Sequence, residues 1–95
     1  MLLTAANRKA LPALNATEHV ADPIAVVKFF DPCGRWTWYA TEFDGVDEFF
    51  GLVNGRDQEL GSFSLSELTA FKGPFGIGIE RDRHFKPTPL SALQH

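Results

Sequence analysis

Ile24-Ala25-Val26-Val27-Lys28-Phe29-Phe30 followed by Asp31-Pro32-Cys33-Gly34 and then Arg35-Trp36-Thr37-Trp38-Tyr39-Ala40-Thr41-Glu42 reads as a strand, a tight turn and a returning strand. β-Branched and aromatic side chains fit a pleated, half-buried surface, proline fits the second position of a turn, and glycine fits the last. In the returning strand the period-two alternation puts Trp36, Trp38 and Ala40 on one face and Arg35, Thr37, Tyr39 and Thr41 on the other. Both faces therefore carry aromatic residues.

The pattern breaks over Phe43-Asp44-Gly45-Val46-Asp47, resumes from Phe49 to Val53, turns at Asn54-Gly55 and returns from Gln58 to Phe63. Short connections between consecutive strands predict an antiparallel meander over residues 24–63. Ser64 and Glu67 have capping-box spacing, and Phe63 and Leu68 have the spacing of a hydrophobic staple, so a helix is predicted over residues 64–72, stopped by Gly73-Pro74. Gly76 to Arg81 reads as a fifth short strand with Ile77 and Ile79 on one face, ahead of a tail of mixed charge that reaches residue 95. Upstream, residues 1–22 hold a short helix ended by Pro12 and then an irregular arm, with Leu3, Ala6, Ala10 and Leu11 at helical spacing. The predicted fold is thus α+β: a small antiparallel sheet, made of a four-strand meander and a short fifth strand, with one or two short helices.

Ninety-five residues fit one small domain, and 44% hydrophobic with 13% aromatic content supports a packed core. A formal charge of -3 argues against a general phosphate-neutralising surface. The lone Cys33 excludes an internal disulfide, and no apolar run approaches the roughly 20 residues that span a bilayer. A signal-peptide pattern is missing as well, so the expected setting is the cytoplasm, without a membrane partner.

Chemical motifs are sparse. The glycines between Gly73 and Gly78 follow a helix instead of opening one and lack a Gly-Lys-Ser/Thr sequence, which speaks for a turn over a phosphate cradle. His19, His84 and His95 have no second ligand at metal spacing, and Cys33 with His84 as base is explained as well by turn geometry. No catalytic residue, metal ligand or cofactor is assigned, and the balance leans away from an enzyme. Charge is more informative: Glu42, Asp44, Asp47, Glu48, Asp57 and Glu59 face only Arg56 between positions 42 and 59, whereas Lys72, Arg81, Arg83 and Lys86 outnumber Glu80 and Asp82 between 72 and 86. Such polarity suits steering toward a protein partner.

Val27-Lys28-Phe29-Phe30-Asp31-Pro32, Trp36-Thr37-Trp38-Tyr39-Ala40-Thr41-Glu42, Phe49-Phe50-Gly51, Glu59-Leu60-Gly61-Ser62-Phe63-Ser64-Leu65 and Ile79-Glu80-Arg81-Asp82 together resemble the bacterial domain of unknown function 2958 family, over most of the chain from Leu2 to Leu93. The resemblance implies a small protein of bacterial plasmids, integrative conjugative elements and phage-like regions, and brings no active site with it. The leading expectation is then a non-enzymatic interaction protein of a mobile genetic element that binds a host defence or regulatory protein. Trp36, Trp38 and Tyr39 would be its anchors, with Glu42, Asp44, Asp47 and Glu48 as an acidic rim. One alternative is a nucleic-acid binder with an aromatic sheet face and contacts from Arg81, Arg83 and Lys86. Another is a small hydrolase or nuclease with a divalent ion on the acidic loop. Homodimerisation through exposed aromatic or edge groups fits any of these.

Overall fold

Asp31 closes the first hairpin in the way its turn chemistry dictates. Its side-chain Oδ1 accepts from the Cys33 N–H at 3.0 Å, its carbonyl accepts from the Gly34 N–H at 3.1 Å, and its own N–H donates to the Trp36 carbonyl at 3.0 Å. The computed structural model describes residues 2–94, so the expectations for Met1 and His95 lie outside the described residues. Along the chain run α1 (Ala5–Ala10), β1 (Ile24–Ala25), β2 (Val27–Phe30), β3 (Thr37–Phe43), β4 (Glu48–Asn54), β5 (Gln58–Ser64), α2 (Leu65–Ala70), β6 (Glu80–Arg81) and β7 (Thr88–Pro89), with 3-10 turns at Pro74–Gly76 and Leu90–Ala92.

The main sheet has the order β5-β4-β3-β2-β6 and is antiparallel throughout. The meander β2 to β5 and the added fifth strand are as the alternation predicts, and the protein is α+β. Three details differ. The run from Ile24 to Phe30 divides at Val26, so that β1 leaves the main sheet and pairs with β7 as a separate two-stranded ribbon, Ile24 opposite Pro89. The fifth strand is only Glu80–Arg81, because the Pro74–Gly76 turn, closed by the Gly73 N–H on the Ile77 carbonyl at 2.8 Å, consumes the residues before it. Ile77 is left exposed while Ile79 is buried. Finally, α1 is too short to bury a face of its own. Leu3 and Leu11, which flank it, are buried, and Ala6 and Ala10 are exposed.

Local chemistry explains the helix limits. Thr4 and Asn7 form a reciprocal capping box at the start of α1, and Leu11, held extended ahead of Pro12, ends it. Ser64 caps α2 by accepting from the Glu67 N–H at 3.1 Å.

One face of the sheet packs Val27, Phe29, Ala40, Phe43 and Phe49 against Leu3, Leu11, Leu68 and Ile79. Phe49 is the centre of this core, with ring centroids 5.4 Å from Phe29, 4.4 Å from Phe43 and 5.2 Å from Phe63. Burying each such ring contributes about 1.5–3 kcal/mol. The opposite face is covered by the β1–β7 ribbon and the last turn, through Ala25, Leu52 and Leu90 with Tyr39, Phe85 and Leu93.

Ala40 and Phe43 belong to the same core although they are three residues apart, which strict alternation forbids. A register shift between Ala40 and Glu42 accounts for it. Thr41 is the extra residue of this bulge, buried with its hydroxyl donating to the Phe50 carbonyl at 3.0 Å. Across from it, a Cβ on Gly51 would lie 1.9 Å from the Tyr39 carbonyl oxygen, so only glycine fits there.

Candidate functional site

Because β3 alternates regularly before its bulge, Trp36 and Trp38 project to the same side, where their rings stack with centroids 6.0 Å apart and planes at 27°. Trp38 is half-buried against the core, and Trp36 is 43% exposed. α2 lies across from them. Between the two, Trp36, Trp38, Phe63, Leu68, Phe71 and Ile79 line an open apolar groove of about 300 Å³, with Asp31, Ser64 and Glu67 at its polar margin. The Ser64 hydroxyl is already engaged with Asp47 and Ser66. Asp31 is held by the hairpin turn described above. Glu67 is exposed, and its carboxylate does not complete the capping box on the Ser64 N–H.

The sequence-derived anchors are thus divided by the sheet. Trp36 and Trp38 line the groove, whereas Tyr39 is on the other face, packed on Phe85 at 5.8 Å with the Lys28 ammonium 5.9 Å above its ring. None of the four expected rim acids lines the groove. Glu42 is 4% exposed, because the bulge rotates it to the face opposite the tryptophans. There it accepts from the Asn15 N–H at 2.8 Å, the Thr17 N–H at 3.0 Å and the Thr17 hydroxyl, and so clamps the arm that follows α1. Burial pushes its carboxyl up, the hydrogen bonds from Thr17 and Asn15 push it down, and the net value lies below the ordinary one.

Asp44 folds its own loop, with one carboxylate oxygen accepting from the N–H groups of Val46, Asp47 and Glu48 at 2.8, 2.8 and 3.0 Å. Asp47 joins that loop to α2 by accepting from the Ser64 hydroxyl at 2.9 Å and the Ser66 N–H at 2.7 Å. These bonds, led by that from Val46 for Asp44 and that from Ser64 for Asp47, hold both carboxyls below the usual aspartate range. Glu48 is exposed at the start of β4. The carboxylates that do border the groove, Asp31 and Glu67, were assigned by sequence to a turn and a cap.

The basic residues are brought together only in part. Arg81 and Arg83 border a shallow hollow with Lys72 and Glu80, and Arg81 spends one guanidinium N–H on the Leu2 carbonyl at 2.9 Å. Lys28 pairs with Asp82 at 3.7 Å, and Lys86 lies in neither neighbouring hollow. Among the described residues no three His, Cys, Asp or Glu side chains converge to hold a metal ion. No helix among them is long and apolar enough to cross a membrane.

Fold and groove together define an α+β protein with an aromatic hollow between a sheet face and a short helix. The chain matches the family described as "Protein of unknown function (DUF2958)" over residues 2–94, nearly its whole length, and belongs to that family. No curated protein and no solved structure matches it.

Proposed function

We propose that this chain is a protein-interaction module that docks its partner in the Trp36–Trp38 groove. The observation that carries this reading is the exposure of Trp36, stacked on Trp38 at the mouth of an open apolar hollow. A large aromatic surface left in water beside a concavity gains most by desolvation against a partner, and tryptophan is among the residues that dominate interface energies. A non-enzymatic role is supported by the use of Glu42, Asp44 and Asp47 as structural acceptors. The partner is a host defence or regulatory protein in the bacterial cytoplasm, and the module serves a mobile genetic element; this part of the proposal follows what the family resemblance implies.

The test is affinity capture from bacterial lysate at moderate salt, with and without nuclease treatment, with the wild type, Trp36→Ala and Tyr39→Phe compared. A protein held by the wild type and Tyr39→Phe and lost with Trp36→Ala supports the reading. Capture unaffected by Trp36→Ala, or abolished by nuclease, overturns it.

A further inference from the structure

The margin of the groove carries two carboxylates and no cation. Asp31 and Glu67 border it, while no lysine, arginine or histidine does, and among the described residues neither carboxylate has a basic partner. Asp31 is preorganised, because its Oδ1 already holds the Cys33 N–H and its position is thereby fixed at the start of the turn. Glu67 is carried on the first turn of α2 with its carboxylate uncommitted. The stacked indole pair lines the same groove, and its π-faces are electron-rich.

This arrangement selects among ligands. An anionic side chain would meet two like charges next to a low-dielectric wall, and a purely aliphatic one would leave both carboxylates to be partly desolvated without compensation. An arginine or lysine side chain satisfies every part of the surface. Its methylene stem covers apolar wall, its charged head lies over an indole face, and the two carboxylates neutralise it from the margin. Arginine fits best, because the planar guanidinium stacks on the ring and forks toward a carboxylate at the same time. Leu68, Phe71 and Ile79 remain to receive an apolar neighbour of that residue.

Resting on the docking reading above, we infer that the groove binds a protein segment in which an arginine or lysine side chain is flanked by apolar residues, with Trp36 and Trp38 stacking on the cation and Asp31 and Glu67 pairing with it.

The probes are three capped peptides, acetyl-Ala-Leu-X-Leu-Ala-amide with X as arginine, citrulline or glutamate, titrated into the full chain while the indole N–H resonances of Trp36 and Trp38 are followed by NMR. Citrulline keeps the shape of arginine and removes its charge. The expected result is movement of both resonances with the arginine peptide, at an affinity about five- to tenfold above that for citrulline, and weakening by Glu67→Gln, Asp31→Asn and added salt. Asp31→Asn retains the acceptor that the turn requires, so its fold is preserved. Equal affinity for the arginine and citrulline peptides overturns the charge inference and leaves the docking reading standing. If none of the three peptides moves either resonance, the inference fails, and the lysate comparison with Trp36→Ala decides the docking reading by itself.

Discussion

The indole of Trp36 lies so close over Gly55 that a Cβ on that glycine would come within 2.5 Å of the outer edge of the ring. The Asn54-Gly55 turn of the neighbouring hairpin thus serves as the seat for the exposed tryptophan. Gly55→Ala forces the ring aside at little cost to the backbone, since the clash is with the far end of a side chain. Its expected signature is a changed Trp36–Trp38 near-ultraviolet circular dichroism band and loss of groove binding, with thermal stability changed by less than about 1 kcal/mol.

Gly51 and Gly61 face each other on β4 and β5, and they predict opposite outcomes. At Gly51 the added Cβ meets the Tyr39 backbone, which is paired to Lys28 on one side and Leu52 on the other, whereas at Gly61 it meets nothing within 4 Å. Gly51→Ala should cost about 3 kcal/mol or more, and Gly61→Ala should be neutral or stabilise slightly by restricting the unfolded chain. Urea unfolding of the two variants checks both.

Glu42 presents two acceptor oxygens to three donors from Asn15 and Thr17. Glu42→Gln replaces one oxygen by an amide that opposes a backbone N–H, leaving a part-buried donor unpaired. A loss of about 1–3 kcal/mol is expected. Faster hydrogen exchange at the Asn15 and Thr17 amides than in the rest of the protein would show that the arm is the part released.

Acid should unfold this protein through a small set of carboxyls. The Ser91 hydroxyl and N–H hold Asp22 below the ordinary aspartate value of 3.8, and Asp44, Asp47 and Glu42 are lowered as described. A group whose folded value is depressed adds stability above its unfolded value and loses it as pH falls through the folded one. The melting temperature should therefore be flat with respect to these groups above about pH 5 and decline below about pH 4.5. Glu42→Gln should show a shallower decline, as measured by melting curves across that range.

Phe75 stands at the tip of the loop between α2 and β6 with φ at 62° and 97% of its surface exposed. A bulky side chain in the left-handed region is strained, and this one gains no burial to offset it. Phe75→Asn should raise stability by about 0.5–1 kcal/mol in thermal melts, because asparagine tolerates that backbone.

Much of the sheet was legible because period-two alternation and turn chemistry are local. Pro32 and Gly34 marked one hairpin, Asn54-Gly55 marked another, and the placement of Trp36 and Trp38 together followed from their spacing. What was not legible depends on contacts between distant residues. One extra residue at Thr41 reverses the parity of β3, and with it moves Glu42 from the tryptophan face to the arm. Gly51 in the middle of an apolar strand was the local hint of that close approach. The division of the Ile24–Phe30 run depends on β7, which lies far along the chain and has only two residues. Glu67 matched a capping pattern, yet only its backbone N–H takes part, which frees its carboxylate for the groove.

The separate pairing of β1 with β7 bears on the order in which the molecule assembles. The three hairpins linking β2 to β5 close short loops, whereas the ribbon and β6 join segments that are remote in sequence. Closing a long loop costs entropy before its contacts return anything, so the rate-limiting ensemble is built on the central hairpins and the ribbon docks after the barrier. Substitutions at Ile24, Ala25 or Leu90 should accordingly accelerate unfolding and leave the refolding rate nearly unchanged.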